Sequence, residues 1–88
     1  MNKLINFNNW EEIKSYDIII YKIDRYLLLN TVLFIRKITD LGLKDSKNIV
    51  DSIITGTPYK IKNIQYSNIN KITERLNELN IKYNLIQN

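Results

Sequence analysis

The side chains in this sequence best suited to chemistry lie between positions 29 and 47: Leu29, Val32, Leu33 and Arg36, then Lys44 and Lys47. At about 100° per residue the first four cluster on one side of a helix, with the two lysines close by on the next. An apolar patch edged by cations recognises a surface, and no bond is made or broken there. The same helix carries a second stripe, Thr31, Phe34, Ile35 and Ile38, on nearly the opposite side. One stripe buries against a sheet, which leaves two readings of the other: more of the same core covers it, or it binds a partner. A homodimer contact and a cover supplied by the segment around Trp10 are specific forms of these readings.

Catalysis has little to work with. The sequence has no Cys, which removes disulfides and thiolate metal sites, and no His, which removes the commonest general base and metal ligand. No carboxylate pair and no activated Ser or Lys stands at a recognisable spacing, and the only two glycines, Gly42 and Gly56, cannot build a phosphate-cradling loop. The expectation is a non-enzyme with no cofactor and no metal. The net charge of +4 invites a nucleic-acid reading, but the thirteen basic residues run from Lys3 to Lys82 without a dense block. Direct nucleic-acid binding is therefore not expected. With 17 Ile, 13 Asn and no Ala, the composition has the bias that AT-rich coding produces, and such coding inflates Lys as well.

The elements that must position these residues fit into one domain, since 88 residues leave room for a single modest core. No apolar run approaches the roughly 20 residues of a membrane span. The start, Met1-Asn2-Lys3-Leu4-Ile5-Asn6, is broken by Asn before an apolar signal core can form. The expected compartment is the cytoplasm, or the matrix or stroma of an organelle. Residues 1–15 read as an extension in which Asn9 caps a short helix, with Trp10 and Ile13 packing onto the domain, or as a loose leader anchored by Trp10.

Residues 16–88 read as the domain. A β-branched and aromatic run at 17–23 predicts a strand well inside a sheet. Asn30 or Thr31 is a candidate cap for the first long helix, which Gly42 ends. The second helix opens on Lys44-Asp45-Ser46, buries Ser46, Ile49, Val50 and Ile53, and stops at Thr55-Gly56-Thr57-Pro58. Residues 59–64 alternate as a strand with Lys60 and Lys62 facing water. Ser67 is a candidate cap for a third helix with the stripe Ile69, Ile72, Leu76 and Leu79, closed by Asn80. The last strand, 81–86, points Ile81, Tyr83 and Leu85 inward. The order strand, helix, helix, strand, helix, strand predicts an α/β (α+β) two-layer sandwich on a small three-stranded sheet.

Arg36, the run Leu41-Gly42-Leu43-Lys44, then Lys47, Ile49, Val50 and Ser52 resemble the C-terminal domain of the bacterial ribosomal stalk protein, the L-seven/L-twelve family of the large subunit. That domain has an Arg-bearing helix, a Gly-Leu-Gly-Leu-Lys-like turn and an Ala-Lys-x-Leu-Val helix. The resemblance covers roughly residues 16 to 86 and is most specific from Arg36 to Ser52. It implies the same fold, shared with the Clp protease adaptor, and a mobile tip that recruits translational GTPases. By that resemblance Leu29 and Val32 are apolar contacts, and Arg36 and Lys47 are the cations.

Several positions depart from the family. Leu28 and Leu33 stand where it commonly has lysine, Asp40 where it has glycine, and Asn80 where it has glycine. Its N-terminal dimerisation domain and hinge do not fit in 15 residues. The Clp adaptor's Asn-Asp and His pocket residues are missing, with Lys22-Ile23 in the corresponding place. The resulting expectation is a protein-binding module, translation-related and docking through Leu29, Val32, Leu33, Arg36, Lys44 and Lys47. The alternative is a stand-alone regulatory or phage-type adaptor that does not associate with ribosomes.

Overall fold

The computed structural model describes residues 15–88; the helix expected around Trp10 lies outside them. Six main elements follow in order: β1 (Ser15–Lys22), α1 (Leu28–Thr39), α2 (Leu43–Ile54), β2 (Tyr59–Gln65), α3 (Tyr66–Glu78) and β3 (Lys82–Gln87). The strands form one antiparallel sheet in the order β2-β1-β3, so the most apolar run of the chain is the central strand, as expected. Strands β2 and β3 flank it and run the same way, joined across it by α3. The two-layer α+β arrangement agrees with the sequence pattern.

The core lies between one face of the sheet and the helices. Ile18 and Ile20 of β1 and Ile61 and Ile64 of β2 meet Ile35, Val50, Ile53, Ile69 and Leu76 in a single buried cluster. Thr31 and Ser46 are buried beside them, and among the described residues neither hydroxyl has a hydrogen-bond partner. An unpaired hydroxyl in such a place costs about 1–3 kcal/mol.

Each helix ends in a left-handed residue. Asp40 (φ 59°) closes α1 by donating its N–H to the Arg36 carbonyl. Gly56 (φ 110°) and Asn80 (φ 57°) close α2 and α3. There the paired bonds Thr57 N–H to Ser52 O with Gly56 N–H to Ile53 O, and Ile81 N–H to Leu76 O with Asn80 N–H to Asn77 O, form Schellman caps. Asp and Asn tolerate this conformation because their short polar side chains add little clash.

Some boundaries differ from the sequence reading. β1 begins at Ser15 and stops at Lys22, leaving Ile23 buried just beyond it. Helix α1 starts at Leu28, so Asn30 and Thr31 lie within it and cap nothing. Arg25–Leu27 form a 3-10 turn that feeds the chain into α1 before those residues are reached. Gly42 precedes α2 in an ordinary extended conformation (φ −70°), so the conformational freedom of glycine is not used there. Helix α3 starts at Tyr66, which puts Ser67 in its first turn. Leu85 is exposed on the edge strand β3, where no helix reaches over it.

Candidate partner-binding face of helix 1

Helix α1 is tied to α3 at its start and capped within itself at its end. At its start Asp24 accepts from the Tyr26 N–H at 2.9 Å and from the Asn80 amide at 3.2 Å, tying the 3-10 turn to the end of α3. At its end Thr39 donates its hydroxyl to the Ile35 carbonyl at 2.6 Å, and Arg36 and Lys37 sit in the last turn, where cations suit the helix dipole. The tie at its start and the packing of its inner side into the core fix which surface the helix presents.

That surface is apolar in the middle. Leu29 is 68% exposed and Leu33 44%, and Arg36 is exposed one turn further on. Val32 is the exception among the expected contacts: at 6% exposure it belongs to the core. The inner stripe is therefore wider than Thr31, Phe34, Ile35 and Ile38 alone. Packing α2 against α1 draws in a position that a helical wheel assigns to the outside, because the wheel knows the angle of a residue and not the position of its neighbours. Ile38 is only partly buried, at the border of the two surfaces.

Two grooves run beside the exposed leucines. One, of about 360 Å³, lies between α1 and α3, with Leu33, Phe34 and Ile38 on one wall and Ile72 with the charged Lys71, Glu74, Arg75 and Glu78 on the other. The second, of about 610 Å³, follows the turn from α1 to α2 and is lined by Leu33, Arg36, Lys37, Asp40, Leu41 and Gly42. Leu33 lines both. Arg36 and Lys37 form no ion pair among the described residues, so their charge is free to meet an acidic partner, whereas Arg75 is held by Glu78 at 3.0 Å. Lys44 and Lys47 are exposed on α2 but line neither groove.

Sequence reasoning missed Lys37 and Leu43. Tyr26, 97% exposed, lies in the 3-10 turn before α1. Leu27 (φ −112°, ψ 29°) departs from helical geometry between it and Leu29, so Tyr26 lines a pocket with Lys22, Asn80 and Lys82 and does not continue the α1 stripe. Leu43, exposed at the start of α2, lies next to the second groove, where only the turn geometry could place it.

The resulting site is a ridge of Leu29 and Leu33 that ends in Arg36 and Lys37. Its composition is that of an apolar patch with a cationic rim. No group of three or more His, Cys, Asp or Glu side chains stands together among the described residues. Comparison with known proteins finds no family, no curated protein and no solved structure that matches this chain.

Proposed function

We propose that the chain is a non-catalytic protein-binding module that docks a partner on the outer face of α1. The observation that carries this reading is the 68% exposure of Leu29 on a helix whose other side packs into the core. A leucine at that exposure stabilises nothing in the monomer, while burying a side chain of its size contributes about 1.5–3 kcal/mol. Arg36 and Lys37 at one end would speed encounter with an acidic surface and set its orientation. Leu28 is half-buried and Leu33 is a leucine where the stalk family carries lysine, so the partner's surface is more apolar than one read by charge alone.

The partner class that fits best is a translation factor or ribosome-associated protein, a proposal supported by the element order and by the residues from Arg36 to Ser52. The alternative, an adaptor with no ribosome contact, keeps the same docking face. Capture of partners by tagged protein tests the face: Leu29→Asp combined with Arg36→Glu abolishes capture if the reading holds, and retention of every partner refutes it. Co-sedimentation with large ribosomal subunits separates the two partner classes, because only the translational reading expects co-migration.

A further inference from the structure

The face of the sheet turned away from the helices carries a second chemistry. In a regular strand every other residue points outward, but two register shifts change this count. Between Ile20 and Lys22 the ladder with β3 advances two residues on β1 for one on β3, so that Lys22 pairs with Lys82 and Ile23, not Lys22, turns into the core. Between Tyr16 and Ile18 the ladder with β2 advances two residues on β1 for three on β2. There Asn63 takes a left-handed conformation (φ 60°) and Ile64 turns inward. A bulge of this kind re-aims side chains, and each one here adds a polar residue to the open face.

The consequence is a concentration of charge that the linear order hides. Lys60 and Lys62 from β2, Lys22 from β1 and Lys82 from β3 share this face, with the carboxylate of Asp17 among them and that of Asp24 lining a pocket with Lys22, Arg25 and Lys82 at its end. Asp17 is already engaged: it accepts from the Asn63 N–H and the Asn88 amide, both at 3.0 Å, and lies 4.0 Å from Lys60. The pairing of Lys22 with Lys82 puts like charges directly opposite each other, an arrangement that weakens a sheet unless an anion lies between them. Tyr21, 47% exposed, stands beside this pair.

We propose that the open face of the sheet binds single-stranded nucleic acid, with Lys22, Lys60, Lys62 and Lys82 on the phosphates and Tyr21 under a base. Charge complementarity selects a polyanion. A flat three-stranded face offers nothing to enter a duplex groove, whereas an exposed tyrosine stacks on any unpaired base. A lipid surface suits it less, because besides Tyr21 the face carries only two apolar side chains among the described residues, Ile19, partly buried between Lys60 and Asn84, and Ile86, opposite Asp17. This surface is distinct from the α1 face, so the two readings stand or fall separately.

The test is fluorescence anisotropy of the full chain with a labelled 20-nucleotide oligouridine, titrated between 50 and 200 mM salt. Four lysines on phosphates give a slope of log K against log salt of about −3, a loss of about fifty-fold over that range. Lys22→Gln with Lys82→Gln halves the slope, Tyr21→Ala weakens binding about ten-fold with an unchanged slope, and Leu29→Asp changes neither. Circular dichroism checks that each variant is folded. The proposal is overturned by no binding at 50 mM salt, by an unchanged slope in the double lysine variant, by equal affinity for duplex RNA, or by binding to phosphatidylserine vesicles without binding to the oligonucleotide.

Discussion

Among the described residues, nothing covers the outer face of α1 or the open face of the sheet, and the two differ in almost every other respect. The helix face is a ridge of Leu29 and Leu33 with its cations at one end. The sheet face spreads four lysines around Asp17, whose carboxylate is already hydrogen-bonded, with Asp24 beside Lys22 and Lys82. A ridge of leucines gains free energy by leaving water, which salt barely weakens, whereas a field of lysines gains it by releasing counterions, which salt suppresses. A small domain of mixed composition can therefore present two surfaces of opposite character.

The largest effect expected is on the boundary between the helix face and the core beneath it. Val32→Asp places an unpaired charge in the core and is expected to cost more than about 4 kcal/mol, enough to unfold much of the protein. Leu29→Asp, three residues away, changes stability by no more than about 0.5 kcal/mol. Urea denaturation of both variants measures the contrast, and equal losses would show that the ridge is buried in solution. Next in size is salt. Raising it from 50 to 200 mM leaves capture through α1 within about three-fold, while binding on the sheet face falls about fifty-fold. Parallel falls would mean that one charged surface accounts for both.

A smaller effect tests the opposed lysines. Lys82→Glu converts the pair with Lys22 into an attractive one and raises stability by about 0.2–1 kcal/mol at low salt, seen as a higher urea midpoint. A lower midpoint would show that the two ammonium groups are already kept apart. The last test concerns Asp17. Hydrogen bonds from the Asn88 amide and the Asn63 N–H, with Lys60 and Lys62 nearby, hold its carboxyl below the ordinary 3.8. The folded state thus favours the ionised form, so the contribution of Asp17 to stability is complete above the ordinary value and is lost as the pH falls through the lowered one. Thermal melts from pH 5 to 2 should show this acid loss shrinking in Asp17→Asn, and an unchanged profile would assign it to other carboxylates.

Periodicity made most of the architecture legible. The stripe Ile69, Ile72, Leu76 and Leu79 and the alternation of Tyr59 to Lys62 each matched their element, because burial against one neighbouring layer imposes a single period. Helix starts were harder. Asn30, Thr31 and Ser67 are good caps in isolation, yet α1 and α3 begin earlier, where the 3-10 turn and the end of β2 already set the chain on a helical course. Leu85 failed differently: its alternation is right, but on an edge strand no helix extends far enough to cover it.

Which residues are apolar, which are charged and how they repeat was determined by the sequence alone, and with it the order of strands and helices. Only the tertiary structure decided that Leu29 and Leu33 are exposed while Val32 is core, and that four lysines lying as far apart as positions 22 and 82 share one face. The physical reason is the range of the forces involved. Periodicity expresses contacts within one element, whereas the depth of a residue and the company of a charge depend on strand pairing and on bulges that no local pattern encodes.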